Sequence, residues 1–177
     1  MFKIENRHAL MFMLSLLITI FVLVFNPASN VQERIGSFGY LGIFLVMLIS
    51  SATVILPAPG LVAVFAAGRA YDFFLTGIAG GLGSAIGEMT GYMFGYGSSG
   101  FITKEYESLY KKTKRWMGKH GFLIIFIFSV IPNPLFDLAG IAAGSLGYPW
   151  QKFFTACLLG KLIKSIIVAY FGYVMLF

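Results

Sequence analysis

Long stretches without charge constrain this sequence more than any other feature. Residues 9–25 and 35–68 contain no charged side chain, and residues 73–101 and 121–151 contain one acid each. Only 11% of the 177 residues are charged, against about a quarter in a typical soluble domain. Helices that cross a bilayer need about 20 consecutive, mainly apolar residues. The pattern therefore predicts an all-α integral membrane protein.

Two of the apolar stretches are interrupted by a Pro-x-Pro motif, one within residues 38–68 and the other within 121–148. Proline cannot continue a helix, and the arms 121–131 and 135–147 are each too short to cross a bilayer. We therefore predict two re-entrant hairpins, whose tips face protein or a watery cavity. The tip residues are Pro57, Pro59, Gly60, Pro132 and Pro134.

The remaining apolar stretches predict continuous transmembrane helices. Residues 9–25 favour a retained anchor over a signal peptide, because the run is long and Asn26-Pro27-Ala28-Ser29 is a poor cleavage site. Helices are also predicted at 73–97 and 151–176. Residues 104–119 hold +4 of the net charge of +6. Basic loops between apolar segments favour the cytoplasmic side, so this loop and the N-terminus are predicted to be cytoplasmic.

The domain organisation follows from an internal repeat. Residues 1–34 form the N-terminal tip and anchor, and residues 35–177 form the main domain. In that domain, repeat 1 spans about 38–97, a basic linker spans 98–120, and repeat 2 spans about 121–177. Each repeat reads as a hairpin followed by a crossing helix, and an odd number of crossings between equivalent points makes the repeats inverted. Chance alignment of glycine and proline landmarks is the alternative.

The landmarks of the repeat recur after 75 to 77 residues. They are, in order, Pro57-x-Pro59, Ala66-Ala67-Gly68, Gly83 and Gly95-Tyr96, followed by Pro132-x-Pro134, Ala142-Ala143-Gly144, Gly160 and Gly172-Tyr173.

Glu88 lies in the middle of the helix predicted at 73–97, the costliest place for a carboxylate. The same helix carries a glycine ridge at intervals of four residues, which favours close helix packing within the chain or in a homo-oligomer. Glu88 lies about 100° from this ridge, on the face of Ser84 and Tyr92. It is a candidate for proton coupling or headgroup contact, and a structural acid is the alternative. The ridge comprises Gly83, Gly87, Gly91 and Gly95.

Four further polar residues are candidates for the substrate or proton site. Asp137 and Asn133 follow the second hairpin break, where each either faces an aqueous vestibule or caps the short helix after the break. Lys161 and Lys164 lie on one face of the last helix. Because an unpaired charge within the membrane is expensive, pairing of a lysine with Glu88 or Asp137 is expected, and both partners stay open.

Enzymatic chemistry has little support in this sequence. No nucleophile-elbow, zinc-protease or phosphate-loop motif is present. The two histidines, His8 and His120, have no ligand-type spacing. We therefore expect a protein that is not an enzyme and that needs no metal or cofactor. Nucleic-acid binding is the poorer explanation of the basic charge, since that charge lies between apolar segments.

The sequence resembles the DedA family, also called the VTT or SNARE-associated Golgi protein family, over roughly residues 35–177. The resemblance implies inverted re-entrant hairpins that move phospholipids or polyprenyl-phosphate carriers between leaflets, with proton dependence in several bacterial members. The motifs that carry it are Pro57-Ala58-Pro59-Gly60, Ala67-Gly68, the run from Gly83-Ser84 through Gly87-Glu88 and Gly91-Tyr92 to Gly95, Lys119-His120-Gly121, Ile131-Pro132 and Ala143-Gly144.

The sequence departs from the family pattern at three positions. Leu61 stands where members often have an acid, and Ser129 and Leu135 stand where they often have arginine. Arginine is a natural partner for phosphate. Asp137, Lys161 and Lys164 are the residues available to replace those contacts.

Three functions are compatible with this sequence. The first is a lipid scramblase or flippase, with membrane lipids as substrate and a polar groove between the hairpins. The second is a proton-coupled carrier of a small solute, and the third is a membrane scaffold that transports nothing. The expected location is a prokaryotic cytoplasmic (inner) membrane, with the N-terminus in the cytoplasm.

Overall fold

A computed structural model describes residues 38–52, 59–98, 107–131 and 136–175. Within these ranges all regular structure is helical, which confirms the all-α prediction there. The predicted anchor at 9–25 lies outside the described residues, as do Pro57, Pro132, Asn133 and Pro134. The helices are α1 Gly39–Ala52, α2 Pro59–Ala70, α3 Phe73–Ser98, α4 Glu107–Val130, α5 Phe136–Ser145 and α6 Trp150–Met175.

Helices α3 and α6 match the two predicted continuous helices to within one residue. Each has 26 residues and is therefore about 39 Å long. Among the described helices, α6 alone is both long and apolar enough, by length and composition, to cross a membrane. The many glycines of α3 lower its hydropathy, while α1 and most of α2 are shorter apolar helices.

Helix α4 differs from the prediction. The expected boundary between the linker 98–120 and the second repeat falls inside α4, which runs without interruption for 24 residues. No proline lies between 107 and 130, and the change from basic to apolar side chains at Gly121 does not itself end a helix. The end of the basic linker and the first arm of the second predicted hairpin are therefore one helix.

The local sequence explains where α3 begins and α5 ends. The carboxylate of Asp72 accepts a hydrogen bond from the amide of Leu75 at 2.9 Å, which caps the N-terminus of α3. Gly147 has a φ of +64° and follows α5 in the left-handed conformation that commonly ends helices. The chain then turns through Pro149 into α6.

Helices α1 and α2 form an antiparallel pair. The rings of Tyr40 and Tyr71 lie 5.6 Å apart at the outer ends of the pair. At the inner ends, Gly60 lies directly against Met47 and Ser50. The described arms of the first predicted hairpin thus fold back on each other.

The crossing of α2 with α6 depends on two glycines. A Cβ on Gly68 would overlap the carbonyl oxygen of Ala169, and a Cβ on Gly172 would overlap that of Phe65. The two backbones therefore touch directly, as small residues permit in membrane helix pairs.

The crossing of α5 with α3 repeats this arrangement. Gly144 lies against the carbonyl oxygen of Tyr92, and Gly95 lies against that of Ile141. The residues of the two crossings correspond at an offset of 76 or 77 positions, which agrees with the offset of the predicted repeat. The corresponding pairs are Gly68 and Gly144, Phe65 and Ile141, Tyr92 and Ala169, and Gly95 and Gly172.

Helices α3 and α6 pack against each other in antiparallel directions. Gly77 lies against Ile166, and four residues later Gly81 lies against Leu162. Helix α3 also contacts α1, where Gly83 and Gly87 approach the backbone. The glycines of α3 that have described neighbours therefore serve packing within the chain, which was one of the two alternatives.

Apolar and polar side chains on α6 are arranged as in a membrane protein. Its outward face carries large exposed apolar side chains, among them Leu159, Ile163 and Ile167. Its inward face buries Lys161, Lys164 and Ser165. This distribution fits a helix bundle surrounded by lipid, because only the bundle interior offers polar groups a partner.

Alanine at the two equivalent glycines, Gly95 and Gly172, should destabilise the protein to a similar degree. The added methyl group forces two touching backbones apart, which costs about 1–3 kcal/mol. Cys157 is the only cysteine and is fully buried, so a thiol-reactive dye added during heating measures the melting temperature.

Gly118→Ala is the control, because nothing lies within 4 Å of a Cβ at that helical position. It should leave the melting temperature unchanged or raise it, by up to about 1 kcal/mol in stability. Equal effects at Gly95, Gly172 and Gly118 would contradict the close crossings.

Candidate functional site

A buried ion pair lies at the interface of α3 and α6. The Nζ of Lys161 donates to the Oε1 of Glu88, and the two residues are 4% and 3% exposed. The pairing that the sequence left open is therefore Lys161 with Glu88. In a low-dielectric interior each charge depends on the other, because removing one partner leaves the second buried and uncompensated.

Lys164 adds a second ammonium group to this ion pair. It lies one helical turn from Lys161, is 8% exposed, and interacts electrostatically with both Lys161 and Glu88. We call Glu88, Lys161 and Lys164 the buried charge cluster. It contains one acid and two amines, so with all three groups ionised it carries an excess positive charge.

The start of α5 covers the buried charge cluster. The Nζ of Lys161 lies 4.6 Å from the centre of the Phe136 ring, within the range of a cation–π contact. Phe136 is 2% exposed and lies two residues after Pro134 of the second predicted hairpin tip. The cluster therefore lies close to the start of α5.

The end of α1 approaches the same face of α3. The Oγ atoms of Ser51 and Ser84 are hydrogen-bonded at 2.7 Å, and Ser84 lies one turn before Glu88. The hydroxyl of Thr90 donates to the carbonyl oxygen of Ala52 at 2.9 Å, which satisfies an acceptor at the C-terminus of α1. The end of α1 and the start of α5 thus both lie beside the part of α3 that carries Glu88.

Tyr92 fixes the other side of this face. Its hydroxyl donates to the carbonyl oxygen of Tyr148, just after α5, and its ring packs at 5.0 Å from Phe153 of α6. Because Tyr92 lies one turn after Glu88, these contacts hold α3, α5 and α6 together next to the ion pair.

Two buried hydroxyl groups extend the polar interface of α3 and α6. Thr76 and Ser165 are both fully buried, and neither hydroxyl oxygen has a hydrogen-bond partner among the described residues. Ser165 lies one turn after Lys161 on the inward face of α6. Buried hydroxyls without partners cost free energy, so these two are candidates for contact with water or a ligand.

The other predicted site residues have different outcomes. Asp137 is the second residue of α5, so it lies inside the helix rather than at its N-cap. The side chain of Asp137 and the whole of Asn133 are not among the described parts of the chain. Gly91 is buried in α3.

Ser129 stands where the family often has arginine, and the structure shows why an arginine would not fit there. Ser129 is fully buried, its hydroxyl donates to the Phe126 carbonyl oxygen at 2.8 Å, and it packs on Gly160.

Several neighbours of the buried charge cluster were missed by the sequence analysis. Phe136 had a usable signal, since it is a large aromatic residue only two positions after Pro134. Cys157 also had one, because it lies four residues before Lys161 and so on the same face of α6. Ser51 and Thr90 had none, since their contacts join distant parts of the chain.

The fold and the site define a class of protein: a helical bundle with an apolar exterior and a buried charge cluster between the glycine-rich helix α3 and helix α6. Residues 56–174 match the model of the VTT domain. The chain therefore belongs to the VTT-domain family, as the resemblance predicted. The matched region contains Glu88, Lys161 and Lys164.

Known relatives of the chain are vacuole membrane proteins. KMS1 of Arabidopsis thaliana is 34% identical over 50% of this chain and 26% of its own length. The Dictyostelium discoideum homolog of vacuole membrane protein 1 is 47% identical over 37% of this chain and 16% of its own length. Human vacuole membrane protein 1 is 53% identical over 25% of this chain and 11% of its own length. This chain thus spans about a quarter or less of these relatives. No solved structure matches it.

Reversing one charge of the ion pair should destabilise the protein, and reversing both should restore it. Glu88→Lys places three ammonium groups in one buried site, and loss of a buried partner costs about 3–5 kcal/mol. The double variant Glu88→Lys, Lys161→Glu keeps one acid and two amines. It should melt well above Glu88→Lys when heated samples are analysed by size-exclusion chromatography.

Lys152→Glu is the control, because Lys152 is exposed on the first turn of α6 and a surface change there should stay within about 0.5 kcal/mol. A double variant that melts no higher than Glu88→Lys would show that the two residues do not stabilise each other.

Removing the buried hydroxyls of Thr76 and Ser165 should not destabilise the protein. Thr76→Val and Ser165→Ala each remove a polar atom without a described partner, so stability should stay the same or rise by about 1 kcal/mol. Ser84→Ala is the matched control and should lower stability by about 1 kcal/mol, since it breaks the bond to Ser51. If all three changes destabilise equally, Thr76 and Ser165 hold a bound group.

Proposed function

We propose that this chain is an integral membrane lipid transporter, a scramblase or flippase for phospholipids or polyprenyl phosphates, and not an enzyme. The observation that carries the proposal is the composition of the buried charge cluster, in which two amines are buried with a single acid. An anionic headgroup phosphate would supply the second anion, whereas a scaffold would have no use for a second buried amine. Asp137 and Asn133 flank Phe136 in the sequence, and Phe136 contacts Lys161, so both belong to the proposed path.

The proposed path runs between two inverted repeats. The matching crossings of α2 with α6 and of α5 with α3, together with the antiparallel packing of α3 and α6, support an inverted arrangement. In this arrangement both hairpins are re-entrant, and their ends meet near Glu88 from opposite sides of the membrane. Transporter substrate sites commonly lie at such repeat interfaces.

Each residue of the buried charge cluster has a separate proposed role. Glu88 and Lys161 neutralise each other and hold α3 against α6 while the path is empty. Lys164, whose charge is not balanced by a second acid in the described residues, contacts the phosphate. Acyl chains remain in the surrounding lipid along the apolar exterior of the bundle.

The proposed orientation keeps the basic segment of α4 and the N-terminus in the cytoplasm, following the bias of basic residues. A prokaryotic inner membrane remains a proposal from the sequence, and the relatives named above are from eukaryotes. The names of those relatives, vacuole membrane proteins, support residence in a membrane.

The second candidate function is a proton-coupled carrier of a small solute. A buried carboxylate that contacts one of two neighbouring amines favours it, because such groups are typical of proton relays in membranes. An assay of lipid movement separates the two candidates.

Lys164→Gln should slow lipid transport without destabilising the protein. Glutamine retains a polar group, and the change removes the unbalanced charge, so the melting temperature should not fall. Loss of a charge-assisted hydrogen bond of about 1.5–3 kcal/mol should reduce the rate about tenfold or more. The measurement follows quenching of fluorescent phospholipids in liposomes by a membrane-impermeant reagent.

The control is Lys152→Gln, which changes an exposed lysine on the same helix. This variant should move phospholipids at the wild-type rate. Equal rates for Lys164→Gln and the wild type would rule out the proposed role of Lys164. If quenching of the wild type stops at half of the label both with and without a proton gradient, the solute carrier becomes the better candidate.

A further inference from the structure

The first half of α4 carries a strongly basic surface that the transport path does not use. Residues 111–120 include five lysines and arginines and no acid, and all five are exposed. Lys112, Arg115 and Lys119 line a shallow concavity together with Trp116 and Thr113. We call these residues the basic face of α4.

The structure places the basic face beside the turn at which α6 begins. Met117 and Gly121, on the other side of α4, pack against Tyr148 in that turn. Trp116 and Trp150, the two tryptophans of the chain, are 55% and 54% exposed near this turn. Tryptophan is enriched at membrane–water interfaces, so the basic face lies at the headgroup level of one leaflet.

Helix α4 changes character one turn after the basic face. Phe122, Leu123 and Ile127 are large apolar side chains that are exposed. Lys119, Leu123 and Ile127 are spaced by four residues and so form one row along the helix. A phospholipid molecule matches this row, with its phosphate at Lys119 and Arg115 and an acyl chain along Leu123 and Ile127.

We propose that the basic face of α4 is a binding site for anionic phospholipid, separate from the buried charge cluster. A nucleic acid or an acidic protein would match the charges but not the adjoining apolar row. The basic side chains attract a negative headgroup by about 1 kcal/mol each. Trp116 lies among them and marks the depth of the headgroup.

The test uses the fluorescence of Trp116 in the full chain with Trp150→Phe, so that Trp116 is the single tryptophan. The protein is reconstituted in bilayers that contain brominated phosphatidylglycerol or brominated phosphatidylcholine, which quench tryptophan on contact. Brominated phosphatidylglycerol should quench Trp116 at a mole fraction about tenfold lower than brominated phosphatidylcholine requires. Salt at 0.5 M should reduce this preference, because salt screens exposed charges.

Lys112→Gln with Lys119→Gln should abolish the preference, because the loss of about 1 kcal/mol, or about fivefold, at each of two residues exceeds the tenfold preference. The matched control, Arg69→Gln with Lys152→Gln, removes the same charge from exposed sites outside the basic face and should keep the preference. Both double variants should retain the melting temperature, since all four residues are exposed.

Three results would overturn the proposal. The first is equal quenching of Trp116 by the two brominated lipids in the otherwise unaltered chain, a result that requires no further variant. The second is an equal loss of preference in the two double variants, which would indicate a general charge effect. The third is relief of quenching by millimolar glycerol phosphate, which would identify a site for free phosphate rather than for lipid.

Discussion

The ion pair between Glu88 and Lys161 is the interaction on which the rest of the bundle depends. Two charges at the centre of an apolar protein are stable only while they remain paired, so α3 and α6 must stay in the register that joins them. The glycines of α3 permit that register by allowing the backbones to touch. The end of α1 then packs beside the pair, where Ser51 bonds to Ser84 one turn before Glu88, and the start of α5 covers Lys161 with Phe136.

Two helix crossings of the bundle have matching backbone contacts but different side chains. The backbone contacts of α2 with α6 recur between α3 and α5, but the side chains around them differ. Glu88 and Lys164 are 76 positions apart, which is the offset of the predicted repeat, and have opposite charge. A symmetric scaffold therefore surrounds an asymmetric charge cluster, and the proposed substrate contact at Lys164 arises from that asymmetry.

Much of this arrangement could be predicted from the sequence. Long uncharged runs located α3 and α6, and the cost of a charge in the membrane singled out Glu88 and both lysines. The sequence did not show which lysine pairs with Glu88, because Lys161 and Lys164 lie on the same helix face and the choice depends on the depth of packing between α3 and α6. It also did not show that α4 is continuous, since the change from basic to apolar side chains at Gly121 resembles the start of a new segment.

The most direct test of the lipid path is photo-crosslinking with a phospholipid that carries a diazirine in its headgroup. The account predicts that peptides around Lys161 and Lys164 are labelled in the reconstituted wild-type protein and that Lys164→Gln loses this labelling. Labelling confined to the outer face of α6, at residues such as Ile163 and Ile167, would contradict it, because the headgroup would then never enter the bundle.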